Sequence, residues 1–388
     1  MSRSILASFA LWPAPAMAHA FGERYDLPLP LALWLVAAAL TVALSFAVFA
    51  LALRRPAAYR SFPLLRLHPF VQGALRAVSL GVLLSLIAAG FLRTQDPFRN
   101  LAPSFVWIAW WIGFTYACIV LGDLWALVNP WNVIRTRGVF ELPAATGVWP
   151  ALALLVAFAW IEVVWQDNAV PANVAWLALG YSLATWTGMA LFGTDDWLKR
   201  GEVFTVYFGF VSRLAPLEVR PDGEVRLRAP AAGLLDTPCL FALAIYGACA
   251  AMARLGRADT GALARLFMPS LLPIALAYHV AHYLTYLLVA GQLVIPLASD
   301  PLGRGWDLLG SARYQVAVGI VGARFAWYTS VIVIVVGHVL ALYVAHRLAL
   351  ARFPEPRTAR RSQYPLAMLM VAYTMLSLWI LAQPVVAP

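Results

Sequence analysis

His279 and His282 stand three residues apart in the run Tyr278-His279-Val280-Ala281-His282-Tyr283. On a helix that spacing sets two imidazoles on nearly one face. Imidazole is a common ligand of zinc, copper and iron, and it exchanges a proton near neutral pH. A third imidazole, His338, follows Gly337 in the next long apolar segment. His279 lies ten residues beyond Pro269 and His338 nine before Arg347. At about 1.5 Å per residue, the two rings fall about 15 Å and about 13.5 Å from the same end of two antiparallel helices. Three imidazoles at one depth could bind Zn, Cu or Fe and leave a coordination position open for water or substrate. Two other readings stand beside this one. The histidines could be neutral core residues bonded to carbonyls or to the hydroxyls of Tyr278, Tyr283 and Tyr286. His279 and His338 could also be the two axial ligands of a haem.

Two acids fall inside apolar segments, Asp123 in GDLWALVNPW and Glu162 in AWIEVVW. Ionisable groups at membrane depth are costly and count as functional candidates. Asp123 falls in the half of its segment that corresponds to the histidine depth. It could orient a ligand histidine, ligate directly or act as a general base, or it could pair with Arg76. Glu162 falls near a segment end, where solvation accounts for it. Asp195 and Asp196 border Lys199 and Arg200 and read as a solvated loop, and His68 reads as interfacial. Cys118, Cys239 and Cys249 are odd in number, widely spaced and set in apolar stretches, which gives neither a disulfide framework nor a zinc motif. The chain has no Walker A loop, HExxH, GxSxG elbow or dinucleotide fingerprint.

The elements that must position these groups are membrane helices. Of 388 residues, 62% are hydrophobic and 12% charged, and the mean hydropathy is +0.77. A soluble domain is about 45–50% apolar and about a quarter charged, so a soluble enzyme, a disordered scaffold and a disulfide-stapled domain are excluded. The net charge of +10 comes from Arg, with Lys199 the single lysine. Arg-rich inner loops facing anionic lipid account for that excess without nucleic acid. Met1–Ala18 has the layout of a signal peptide, with an apolar Ile5–Trp12 run and Ala16-Met17-Ala18 as the cleavage site. Cleavage there leaves His19 at a mature N-terminus outside the membrane, where its amine and ring could chelate copper.

Spans of membrane length fall at Leu29–Leu53, Val71–Leu92, Ser104–Val128, Val148–Trp165, Val174–Phe192, Leu234–Leu255, Pro269–Leu297, Arg324–Leu350 and Pro365–Leu381. All should be helical, because open strands leave backbone groups unpaired in lipid. The basic loops suit this order through five spans. A crossing at Val203–Leu217, which carries Arg213 and Pro216, is then needed to bring Arg347–Arg361 inside; it could instead be re-entrant or interfacial. Glu218–Pro230 alternates around Pro221-Asp222-Gly223 as a small hairpin. The expected fold is an all-α polytopic integral membrane helix bundle of nine long helices plus one short irregular element, forming a single domain over residues 19–388.

Several stretches carry a resemblance. HAFGERYDLPLPLALWL, RTQDPFRNLAPSFVWIAWW, GDLWALVNPWN, FGTDDWLKRGEVFTVYFGFVSRLAP, AYHVAHYLTYLLVAGQLVIPLASDPLGRGWDLLG and ARFAWYTSVIVIVVGHVLALYVAH resemble the bacterial multi-pass membrane proteins called fenitrothion hydrolases. The resemblance covers nearly the whole chain after residue 18, apart from Leu240–Arg265. It implies hydrolysis of a lipophilic organophosphorus triester at the P–O bond in the inner (plasma) membrane. A metal on His279, His282 and His338 would suit that chemistry by polarising the phosphoryl group and acidifying a bound water, with Asp123 as base or ligand support. The composition also admits a carrier or channel for a metal ion or small solute along a histidine-lined path, and a haem or copper redox protein.

Overall fold

The computed structural model describes residues 30–53, 60–220, 222–234, 249–250, 252–254, 256 and 259–382. The signal peptide, His19, Cys239 and most of the Leu234–Leu255 span fall outside those residues. The apolar runs form helices, each satisfying its own backbone: α1 Leu31–Ala52, α2 Pro69–Leu92, α3 Leu101–Leu121, α4 Trp149–Val163, α5 Pro171–Phe192, α6 Thr194–Arg200 and α7 Val203–Val211. Further along the chain come α8 Thr260–Phe267, α9 Leu272–Ala290, α10 Val294–Ser299, α11 Ala323–Arg352, α12 Pro356–Ser362 and α13 Tyr364–Leu381. Among the described residues seven helical stretches are long and apolar enough to cross a membrane: α1, α2, α3, Ala144–Val163, α5, Thr260–Ser299 and α11. The fold is an all-α helical bundle with the helices of a multi-pass membrane protein.

Four features differ from the sequence expectation. The third span ends at Leu121 rather than Val128. Gly122 adopts φ +91° there, a conformation open to glycine, and a Cβ would lie 2.6 Å from the Leu217 carbonyl. Within α3, Ser104–Phe114 is a π-helix of 11 residues, a wide winding that is rare at this length. Val203–Leu214 is an apolar helix of 12 residues, α7 closed by a 3₁₀ turn. At about 18 Å it is shorter than a bilayer core of about 30 Å, and Phe208 and Val211 bury it inside the bundle. The expected hairpin forms, as β2 Leu217–Val219 and β3 Glu224–Leu227, but β3 also pairs with β1, Phe62–Arg66, in a three-stranded antiparallel sheet of order β1-β3-β2.

The two histidine-bearing helices, α9 and α11, pack closely and run antiparallel. The Ser330 hydroxyl donates to the Ala281 carbonyl at 3.2 Å. Seven residues further along α11, at Gly337, a Cβ would stand 2.4 Å from Ala277 Cβ and 2.8 Å from the Pro273 carbonyl oxygen. Small residues on both helices let the backbones approach, as membrane helix packing favours.

Candidate intramembrane site around His279

The α9–α11 contact uses Ala277 and Ala281 of α9, and each residue turns a helix by about 100°. His279, two positions beyond Ala277, therefore points about 200° away, toward α3. There its ring is surrounded by aromatic rings, with centroids 4.7 Å from Tyr283, 5.6 Å from Tyr116 and 6.1 Å from Trp111. The Tyr116 hydroxyl donates to the His279 carbonyl at 3.2 Å and ties α9 to α3 at this level. Both ring nitrogens of His279 are buried without a hydrogen-bond partner. A neutral imidazole presents one N–H and one lone pair, and leaving a buried polar group unpaired costs about 1–3 kcal/mol.

Glu162 stands at the far side of Tyr283. Its Oε1 accepts from Tyr283 Oη and from Trp111 Nε1, each at 2.8 Å. The carboxylate is half-buried and bonded to two aromatic donors on two other helices, so solvation does not account for it. Trp111 lies on the π-helical turn of α3 and also stacks at a tilt on Tyr207 of α7, with centroids 4.9 Å apart. Four elements thus converge: α3 with Trp111 and Tyr116, α4 with Glu162, α7 with Tyr207, and α9 with His279 and Tyr283. Such an arrangement can hold a neutral imidazole ready to take a proton while a carboxylate fixes the adjoining phenol.

The remaining sequence candidates are dispersed. His282 is exposed on the bundle surface, and its ring meets Tyr283 edge-on at 4.7 Å. His338 is fully buried, with Nδ1 2.8 Å from the Ile334 carbonyl. Because a carbonyl only accepts, Nδ1 carries the proton and the Nε2 lone pair faces no polar protein atom. Among the described residues there is no group of three or more His, Cys, Asp or Glu side chains that could hold a metal ion. His279, His282 and His338 are not gathered into a three-imidazole centre. Asp123 is also elsewhere: its Oδ1 accepts from the Ala126 N–H at 3.1 Å and caps the Trp125–Val128 turn. It does not pair with Arg76, which reaches the Ala126 carbonyl at 3.4 Å instead.

Sequence reading passed over Glu202. This carboxylate is fully buried and caps α7, accepting from the N–H groups of Phe204 at 2.9 Å and Thr205 at 2.7 Å. Tyr181 and the Thr205 hydroxyl also donate to it, with Trp125 and Asn129 at 3.4 and 3.5 Å. An acid directly after Gly201 and before an apolar run was its available signal, that of an N-cap.

No protein-family model, curated protein or solved structure matches the chain.

Proposed function

We propose that the chain is a membrane-embedded hydrolase of lipophilic organophosphorus triesters, with His279 as general base. The observation that carries this reading is the pair of unpartnered ring nitrogens on His279, set in an aromatic wall one side chain away from Glu162. In the proposed step, water attacks phosphorus while His279 takes its proton, and the P–O bond to the aryloxide breaks to release a nitrophenol. Tyr283, fixed by Glu162, orients the imidazole. An apolar triester partitions into the bilayer and reaches such a site from between helices. The finer topology belongs to the same proposal: nine spans plus the short α7 element, a signal peptide cleaved after Ala18, and an outside N-terminus in the inner membrane.

A metal-assisted version of the reaction rests on a separate observation. His338 has its Nδ1–H held by a carbonyl and its Nε2 lone pair unpartnered, the orientation that outer hydrogen bonds give to ligating histidines. In that version Zn, Cu or Fe is the cofactor, and elemental analysis of the purified protein tests it directly.

The deciding experiment is release of nitrophenol from a dialkyl nitrophenyl thiophosphate by protein in lipid nanodiscs. Wild type should turn over, and His279→Ala should lose about 100-fold or more, the usual worth of a general base. Wild type indistinguishable from empty nanodiscs, or a fully active His279→Ala, overturns the assignment. Solute flux in proteoliposomes without any hydrolysis would favour the carrier instead.

A further inference from the structure

At the Arg-rich end of the bundle the ends of α1, α11 and α12 border an open cleft of about 400 Å³, lined by Ala50, Leu53, Leu350, Glu355, Pro356, Arg357 and Arg360. His346, a fully buried residue of α11, stands between its walls. His346 Nε2 lies 2.9 Å from the Leu53 carbonyl at the end of α1, and Nδ1 lies 3.1 Å from Gln363 Oε1 just beyond α12. Gln363 keeps that oxygen toward the ring because its Nε2 donates to the Ala359 carbonyl at 2.5 Å.

The cleft's chemistry is anionic recognition beside an apolar wall. Between Arg347 and Arg361 there are five arginines and one acid, Glu355. Arg357 and Arg360, three apart on α12, both reach the cleft, and guanidinium groups match phosphate oxygens in a bidentate manner. The cleft also stands at the end of α1, whose outer face is apolar and exposed. Leu33, Val36, Leu40, Leu44, Val48 and Leu51 of α1 are each more than half exposed, and their spacing of three and four residues makes one continuous face. Ala50 and Leu53 stand about 100° and 200° around α1 from Leu51, so the cleft wall is a separate face of the helix, and its own apolar part is Ala50, Leu53 and Leu350.

We propose that this cleft binds the phosphate of an anionic phospholipid, with Arg357 and Arg360 on the phosphate oxygens and one acyl chain leaving over the apolar wall of Ala50, Leu53 and Leu350. A phosphate ester at the Arg pair and hydrocarbon against that apolar wall are required together, which distinguishes a lipid from a free phosphate. Basic pockets between membrane helices on the cytoplasmic side bind lipid head groups by the same physics.

The test is native mass spectrometry of the detergent-purified chain titrated with phosphatidylglycerol, with phosphatidylcholine of the same acyl chains, and with inorganic phosphate. Phosphatidylglycerol adducts should form preferentially and fall about tenfold in Arg357→Ala/Arg360→Ala, while Arg99→Ala, in another loop, leaves them unchanged. Inorganic phosphate should not compete at equal concentration. Should the double variant fail to fold, the wild-type thermal midpoint should still rise with phosphatidylglycerol and not with phosphatidylcholine. Equal retention of both lipids, undiminished adducts in the folded double variant, or displacement by inorganic phosphate alone would overturn the proposal.

Discussion

The Tyr283 hydroxyl donates to Glu162 Oε1 at 2.8 Å, joining α9 to α4 across 121 residues of sequence. Trp111 donates to the same oxygen from α3, so three helices meet on one carboxylate atom. A hydrogen bond to a charged group contributes about 1.5–3 kcal/mol. Tyr283→Phe should therefore lower the thermal midpoint in detergent and reduce any hydrolysis about tenfold. In a double-mutant cycle with Glu162→Gln the two losses should fall short of additive. Strictly additive losses would mean that the two side chains act independently.

Gly337 is the close contact of α9 and α11. A side chain there meets Ala277 Cβ at 2.4 Å and the Pro273 carbonyl at 2.8 Å, and backbone cannot move aside as a flexible side chain can. Gly337→Val should destabilise the bundle by about 1–3 kcal/mol through overpacking, and Gly337→Ala by less. Gly73, which has nothing within 4 Å of its Cβ position, supplies the control: Gly73→Ala should leave thermal unfolding nearly unchanged.

This crossing also explains what the sequence could and could not reveal. Periodicity and hydropathy located the long helices, because lipid imposes both. The pairing of α9 with α11 followed from their being consecutive spans. Which face of α9 meets α11 did not follow, since any of several faces is apolar enough. The small residues Ala277 and Ala281 take that contact, and His279 is thereby turned to α3, away from His338. Asp123 was misplaced because Gly122 ends the helix about two turns early, which no hydropathy window registers. The strand Phe62–Arg66 was hidden for a related reason: it is short, carries Pro63 and is exposed along its whole length, so no alternation marks it.

Glu202 gives a prediction with little room for compensation. Oε1 accepts from Phe204 N–H and Tyr181, and Oε2 from Thr205 N–H and hydroxyl. In Glu202→Gln one of these oxygens becomes an amide NH2 facing donors, so the isosteric change strands at least one backbone N–H. Glu202→Gln and Glu202→Ala should both reduce the yield of monodisperse protein, by size-exclusion chromatography, more than Glu218→Gln in the sheet. A Glu202→Gln protein as stable as wild type would show that the buried carboxylate is dispensable to the fold.

The loop after α10 should respond to acid. Burial opposes ionisation of Asp300, but the Arg304 and Gly305 amides and the nearby Arg93 guanidinium outweigh it and hold the carboxyl below its usual range. The Ser299 hydroxyl, followed by the Ala312 amide, does the same for Asp307. A depressed folded-state pKa stabilises the fold above the unfolded value, about 3.9 for Asp, and that contribution disappears as pH falls through the lower folded value. The loop should thus be indifferent to pH between about 7 and about 5 and loosen only below about 4. Limited proteolysis at matched protease activity should show Arg304 and Arg313 newly cleaved at the acid end. Asp307→Asn should be cleaved faster than wild type at every pH and show a smaller acid response, because the amide keeps an acceptor for the Ala312 amide but never carries the charge. Cleavage already pronounced at pH 6 in the wild type would mean that these two carboxylates do not hold the loop.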